Sequence, residues 1–560
     1  MPPPAVATQR AARSGRRTPQ VLAALVDRVP AFLVLALAST TGLTVLADAF
    51  GLRPLAAPWS SRIVLVAALG LAVVLVRLLT PQRLSRGSAL AAVPAGVLVV
   101  YALFARALAL GDRAEWFIGG DHVRHLLYVA EIPGEGALSY GVNPYPRGWH
   151  AFVATVWVSF GGRRDIDGFA SLLDLLSTAS WLLPAVMSLA TASVAVALAH
   201  RLRLGDRATA GTALVAAAGV LLPSYLTWYQ SYGFENSYVA GVVAAVCLRA
   251  VLDTDRGWGP VVVTAAGVVV VAHAWQLMMP LPLIALAVTS WRLLRRDHSP
   301  RTVGTGALVW LAAALAALPA VRAVLVVVGV GHAAVSGVRP PVPLLLLAVS
   351  VLALAALSIR LRRDRLTLVA VAMVMLPALT AAALCVRLGI PITDYYPGKL
   401  VWHTAALGPA VVAVVVATGL RALAARGRLT RPVGGAVAVL AAMVLIVALV
   451  TPAGAFTGHW STADGRRVVA AVTTPGAPEA DVVWLGSSGS DTMARILLLF
   501  YGTGPASRRA DEGVLDVANE CALLVASPRP TVLSDRPETE VRTRYACSPG
   551  FRFVAVRLTD

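Results

Sequence analysis

The chain has 560 residues, of which 58% are hydrophobic and only 14% charged; its net charge is +19 and its mean hydropathy +0.73. A soluble domain carries about 25% charge, so a soluble globular protein is excluded, and recurring apolar runs of about twenty residues point to a polytopic helical membrane protein. The positive charge is not a nucleic-acid footprint, because the arginines sit in short clusters between apolar runs, the pattern of cytoplasmic loops.

In chain order, residues 1–20 are basic and Pro/Ala-rich. With no apolar run and cleavage site directly behind them, they read as a disordered cytoplasmic tail rather than a signal peptide. About thirteen spans follow, at 31–47, 63–79, 88–110, 179–200, 209–224, 237–253, 259–275, 278–292, 304–320, 342–359, 366–386, 403–420 and 432–451. The closely spaced pair at 259–292, with Pro280 and Pro282, is open to being one broken element. Arginine clusters at 10–17, 77–86, 201–207, 292–301, 360–365 and 421–431 occupy alternate connections. They predict a cytoplasmic N-terminus and, with an odd span count, an extracytoplasmic C-terminal segment in the plasma membrane.

That orientation places the polar stretch 111–178 outside as a long first loop. Within it, Ala151–Phe160 is apolar but too short to span, and reads as an interfacial segment with Trp149, Trp157 and Trp181 at that depth. From Thr451 the composition changes. Asp481–Gly486, Cys521–Ser527 and Phe551–Leu558 read as strands and Asp491–Tyr501 as an amphipathic helix. The expected architecture is therefore an all-α membrane domain over 21–452 and a small α/β domain over 453–560. Gly486-Ser-Ser-Gly-Ser490 departs from the Gly-x-Ser-x-Gly nucleophile elbow at its last position and reads as a turn. Cys521 and Cys547 are expected to form a disulfide outside the membrane.

Candidate chemistry concentrates in three stretches. Gly119-Gly-Asp-His-Val-Arg-His125 supplies Asp121, His122, Arg124 and His125. Asp121 reads either as a helix N-cap or as a general base. Asp121 and His125 share a helical face at i, i+4; one such pair does not specify an obligatory metal, and a divalent cation stays an alternative. Tyr145-Pro-Arg-Gly-Trp-His150 offers Tyr145, Trp149 and His150 on a rigid turn, as a sugar platform or an aromatic anchor. Asp394-Tyr-Tyr-Pro-Gly-Lys399 holds Tyr395, Tyr396 and Lys399. Of the 48 basic residues Lys399 is the one lysine; a lysine kept in an arginine-writing chain suggests a need for a compact ammonium. Glu235, His273 and Gln276 are supporting candidates.

These residues, in this architecture, resemble the GT-C class of integral-membrane glycosyltransferases. The likeness rests on Gly120-Asp121, on Tyr145-Pro146 with Gly148 and His150, on Tyr395-Tyr396 with Lys399, and on the external C-terminal domain. More narrowly the chain is similar to actinobacterial cell-envelope members, including arabinofuranosyl- and mannosyltransferases. The resemblance implies a polyprenyl-phosphate-linked sugar as donor, a glycan or lipoglycan acceptor, and Asp121 as catalytic base. On that expectation Lys399, Arg124 and Arg147 bind the donor phosphate. His122, His125, Tyr145, His150, Glu235, His273, Gln276, Tyr395 and Tyr396 bind sugar or acceptor. Many members carry a second acid beside the first; here it is His122, so the resemblance does not fix a metal requirement. The alternatives are a transporter or flippase of a lipid-linked saccharide, which needs polar groups through the midplane, and a non-catalytic envelope scaffold.

Overall fold

The structure, a computed structural model, describes residues 5–79, 86–117, 121–140, 145–221, 233–253, 257–329, 343–362, 364–426, 464–501 and 516–557. Gly119-Gly120, residues 141–144 and 222–232, the expected span 432–451, His332 and His459 lie outside the described residues.

The first half of the chain forms α1 (Ala5–Ala49), α2 (Pro58–Leu79), α3 (Ala92–Ala107), α4 (Leu110–Phe117), α5 (His122–Glu135), α6 (Gly148–Ser159), α7 (Ile166–Arg201) and α8 (Asp206–Gly219). Then come α9 (Glu235–Leu252), α10 (Trp258–Ala274), α11 (Pro280–Arg296), α12 (Pro300–Gly329), α13 (Leu344–Arg360), α14 (Arg365–Leu388) and α15 (Tyr395–Ala425). Helix α1 begins at Ala5, within the stretch expected to be a tail. Alanine, arginine and glutamine, which dominate it, are strong helix formers.

Among the described residues, eight helices are long and apolar enough to cross a membrane: α1 from Ala24, α2, α3 with its lead-in from Ala89, α7, α9, α12 to Leu325, α14 and α15. The expected spans at 209–224, 259–275, 278–292 and 342–359 fall on α8, α10, α11 and α13, of 14, 17, 17 and 17 residues. These are shorter than the roughly 20 residues a perpendicular crossing takes. A short 3₁₀ turn, Gln276–Met278, separates α10 from α11, so the pair is two helices rather than one broken element.

Of the eight long apolar helices, α7, α9 and α15 are the most deeply buried, with α3 and α8 packed on α7 as well. The outer helices expose apolar side chains such as Ile63, Val66, Leu308, Leu345 and Leu352, the surface expected to face lipid. The segment expected at the interface, Ala151–Phe160, falls in α6 and its C-cap, and α6 is covered by α1, α2 and α5. Trp149, Trp157 and Trp181 are core residues, 5%, 3% and 0% exposed. The apolar run was legible, but not its cover, which comes from helices distant in sequence.

One end of the bundle is tied by arginines. Arg201 donates to the carbonyls of Leu252 and Asp253, Arg292 to Val251 and Asp253, and Arg421 to Arg203. Arg249 lies between Asp27 (3.6 Å) and Asp253 (3.2 Å). The terminal carbonyls of a helix have no intrahelical partner and carry its negative dipole end, so guanidinium groups are their natural caps.

The C-terminal region forms α16 (Gly465–Thr473), β1 (Val482–Trp484), α17 (Ser488–Leu498), α18 (Val517–Ala526), β2 (Thr531–Ser534), α19 (Glu538–Arg544) and β3 (Arg552–Ala555). Its three strands pair in parallel in the order β1-β2-β3. Cys521–Ser527, expected as a strand, belongs to α18. Asp516 caps that helix by accepting from the Asn519 amide, and the cap fixes the start of a run that is ambiguous by hydropathy alone. The Gly486–Ser490 turn leads into α17, capped by Ser487. This region docks on the membrane domain. Arg164 donates to the carbonyls of Leu499 and Phe500, the Phe500 ring meets Trp157 and Phe169, and Arg466 pairs with Asp112.

The Cys521–Cys547 bridge is formed, joining α18 to the end of α19 across 26 residues. Replacing both cysteines with serine is expected to destabilise the C-terminal region by about 3 kcal/mol, since it frees a loop of that length in the unfolded chain. Limited proteolysis of the full chain checks this: cleavage within 516–557 should accelerate while the membrane helices stay protected.

Candidate functional site

Asp121 stands just before α5, at the position of an N-cap, yet its side chain makes no capping bond. Its Oδ2 accepts a 2.6 Å hydrogen bond from the Tyr395 hydroxyl and lies 3.5 Å from the Lys399 ammonium. Lys399 in turn donates to the Tyr395 hydroxyl at 2.5 Å. Tyr395 and Lys399 are four residues apart on α15, so one face of one helix presents both. The result is a directed chain, ammonium to phenol to carboxylate, built across 278 residues of sequence.

Lys399 is buried, its side chain 7% exposed, whereas that of Asp121 is 36% exposed. The ammonium sits over the Phe234 ring at 3.5 Å and the Tyr395 ring at 3.9 Å. Aromatic faces thus replace water around the cation, and Asp121 supplies the opposite charge that a buried ammonium requires. Among the described residues, Asp121 Oδ1 makes no hydrogen bond.

Behind this pair lies a second, dry cluster. Gly233 and Phe234 strap over the start of α5 and lead into α9 at Glu235. Gly233 has φ +72°, and a Cβ there would stand 2.4 Å from the His122 backbone nitrogen, so both conformation and space call for glycine. Glu235 Oε1 lies 2.6 Å from His122 Nδ1 and accepts from Ser180 at 2.7 Å, while Oε2 lies 2.9 Å from His125 Nε2. His125 Nε2 is also 2.7 Å from the Gly233 carbonyl, and its Nδ1 is 2.6 Å from His150 Nε2.

All four of these groups are 0–2% exposed. Both nitrogens of His125 face acceptors, which suits an imidazolium. Burial works against the charged form of His125, but the Glu235 carboxylate outweighs it and raises its pKa. Burial, then the neighbouring His125, holds His150 well below the usual imidazole range. Of the two rings, His125 is the one whose surroundings favour the charged form.

The structure brings Asp121, Tyr395 and Lys399 together. Tyr396 stands edge-on to Tyr395 at 5.0 Å, and Tyr145 stacks on Tyr128 at 4.4 Å. Burial pushes the Tyr128 phenol up to about 12 and that of Tyr145 well above its ordinary value, so both remain neutral donors. Arg124 is exposed on α5.

Other expected site residues are committed elsewhere. His122, His125, His150 and Glu235 bind one another rather than an open surface. Arg147 is fully buried and grips Glu135 with two bonds of 2.8 and 2.9 Å and the Ser139 carbonyl with a third. His273 bridges the Tyr140 hydroxyl (2.6 Å) and the Ala316 carbonyl (2.7 Å). Gln276 lies half-buried in the turn after α10. Sequence reasoning missed Phe234, Tyr128 and Ser180. Of these only Phe234 left a trace, as the neighbour of Glu235 in Gly-Phe-Glu-Asn. Among the described residues no group of three or more His, Cys, Asp or Glu side chains is arranged to hold a metal ion.

No protein-family model matches the chain, and no curated protein matches it in sequence.

The His125–His150 pair predicts a bell-shaped dependence of stability on pH. A raised His125 value means that its contribution is present below the ordinary imidazole value of about 6.5 and is lost as pH rises through the raised value. A lowered His150 value means that the unfolded chain takes up a proton the fold refuses, so stability also falls as pH drops below about 6.5. Glu235, Asp121 and the Gly233 carbonyl face His125 and set the alkaline limb; His125 and Arg147 face His150. Thermal unfolding of detergent-solubilised protein across pH should show both limbs, with His125→Gln flattening the alkaline one and His150→Gln the acid one.

Proposed function

We propose that the protein is a membrane glycosyltransferase that transfers a sugar from a polyprenyl-phosphate donor to an acceptor outside the cytoplasm. The observation that carries this reading is the pairing of a partly exposed carboxylate, Asp121, with a buried ammonium, Lys399, through the Tyr395 hydroxyl. A carboxylate beside a fixed cation suits a reaction in which one group loses a proton while another departs with negative charge.

In this mechanism Asp121 Oδ2 is anchored by Tyr395 and Lys399, and Oδ1 takes the proton of an acceptor hydroxyl. The acceptor oxygen forms a bond to the anomeric carbon. The bond from that carbon to the phosphate oxygen breaks, and its electron pair leaves with the lipid phosphate. Lys399 and the exposed Arg124 offset the phosphate charge. Tyr145, Tyr128 and Tyr396 offer aromatic faces and neutral hydroxyls to the sugar. Arabinofuranose and mannose are the sugars that the resemblance favours. Tyr395 and Lys399, two of the residues on which the resemblance rests, are bonded or ion-paired to Asp121, which supports the GT-C-like reading.

The arginine clusters support a cytoplasmic face at the end where Arg201, Arg249, Arg292 and Arg421 gather, and an extracytoplasmic face at the end holding Asp121 and the C-terminal region. The transporter reading is less favoured. Arginine–carbonyl bonds tie helix ends together at the far side of the bundle, and the cleft beside Asp27 and Arg249 there is only about 50 Å³.

Asp121→Asn and Lys399→Ala are each expected to lower transfer at least about 100-fold, the contribution typical of a positioned acid–base group or charge stabiliser. Incorporation of sugar from a radiolabelled polyprenyl-phosphate donor into membrane glycans, at matched protein levels, checks it. Unchanged incorporation in both variants would sink the assignment.

A further inference from the structure

We propose that the His150–His125–Glu235–His122 cluster is a positioning device for the Asp121–Lys399 pair: one buried carboxylate pins the Gly233–Glu235 strap to the start of α5, and so sets the distance between base and cation. The inference rests on the transferase reading only in giving that pair a catalytic use.

The two halves of the pair come from different places. Asp121 is carried by the first turn of α5, where the His125 amide donates to its carbonyl at 3.0 Å. Lys399 is carried by α15, and its ammonium rests on the Phe234 ring. Phe234 is flanked by the two residues the cluster holds: Gly233, whose carbonyl meets His125, and Glu235, whose carboxylate meets His122 and His125. The strap therefore connects α5 to the seat of the ammonium through three contacts of 2.6–2.9 Å, each at a residue no more than 2% exposed or at a backbone carbonyl.

Ser180 fixes the same carboxylate from α7, and His150 fixes the far nitrogen of His125 from α6. Four helices thus converge on one charge that does not itself face the accessible surface. Breaking a buried ion pair by removing one partner leaves an uncompensated charge and displaces what it held. Here the displaced object is the strap beneath Lys399. These are positioning residues, since none of the four touches Asp121 Oδ1 or the open side of the site.

The single lysine makes the test direct. Full-length protein in lipid nanodiscs, carrying side-chain isotope-labelled lysine, gives one ammonium signal by NMR, and it is read without any sugar donor. Glu235→Asp, which keeps the charge but shortens its reach, and His150→Gln, which removes a ring the fold holds neutral, are expected to displace the midpoint of that signal's pH titration by about one pH unit, a tenfold change in proton affinity. His273→Gln, an equally buried histidine bonded to Tyr140 and Ala316, should leave it in place. If Glu235→Asp does not accumulate, Ser180→Ala, which frees the same carboxylate without removing a charge, takes its part. Titrations of both variants that superimpose on wild type would overturn the proposal. An equal displacement in His273→Gln would also overturn it, by showing general loosening. Displaced signals beside an unaffected transfer assay in Asp121→Asn would instead remove the transferase reading and leave the positioning role standing.

Discussion

A carboxylate at the head of α9 accepts a serine hydroxyl and lies against two imidazoles, 2% exposed, in the middle of an apolar protein. Such a charge is stable there only if its partners are fixed, and the partners are fixed because α5, α6, α7 and α9 have no other way to satisfy them. This constraint settles the local architecture. The strap at Gly233 must pass within contact of α5, the α5 start must stay close to α9, and the Phe234 ring must project toward α15. The more exposed Asp121–Tyr395–Lys399 chain is built on that foundation.

The two clusters divide the labour by depth. The deeper one is closed, with both nitrogens of His125 engaged. The shallower one keeps its carboxylate partly exposed while its cation is sheltered by rings. A buried ammonium responds strongly to small changes in the carboxylate beside it, because the low local dielectric magnifies each interaction. That sensitivity is useful where charge has to appear on a departing group, and it makes an accurately held pair worth a second layer of support.

The sequence was most legible where a residue broke the habit of its surroundings. Lys399 stood out against an arginine background, and Asp121 against a long apolar approach; the two lie 3.5 Å apart. The C-terminal disulfide was legible from its polar context. The histidines were not. His122, His125 and His150 were grouped with Asp121 because they are neighbours in the chain, but the partners of His122 and His125, Glu235 and Gly233, come from a distant part of the chain and lie inward, and His150 meets only His125. Arg147 misled for a related reason: a guanidinium beside a tyrosine-proline turn looks ready for phosphate, and nothing nearby shows that Glu135 turns back to meet it. Hydropathy alone does not fix how many of the shorter helices α8, α10, α11 and α13 cross fully, since packing against other helices and packing against lipid select the same side chains. In Cys521–Ser527 the apolar run misread as a strand was decided by Asp516, an acid outside the run.

Helix α7 has 36 residues, a length of about 54 Å at 1.5 Å per residue, well beyond a hydrocarbon layer of about 30 Å. Its start follows Arg164, which clasps the C-terminal region, and its last residue, Arg201, is bonded to the end of α9. One continuous rod therefore joins the C-terminal region to the arginine-tied end of the bundle, and Ser180, which touches Glu235, lies along its length. Mechanically, α7 is a strut. Tilting of the C-terminal region on the bundle would be resisted along the whole rod or relieved at Pro184, the one proline within it. A load applied at the protein surface would then be felt next to the buried carboxylate before it reached the far side.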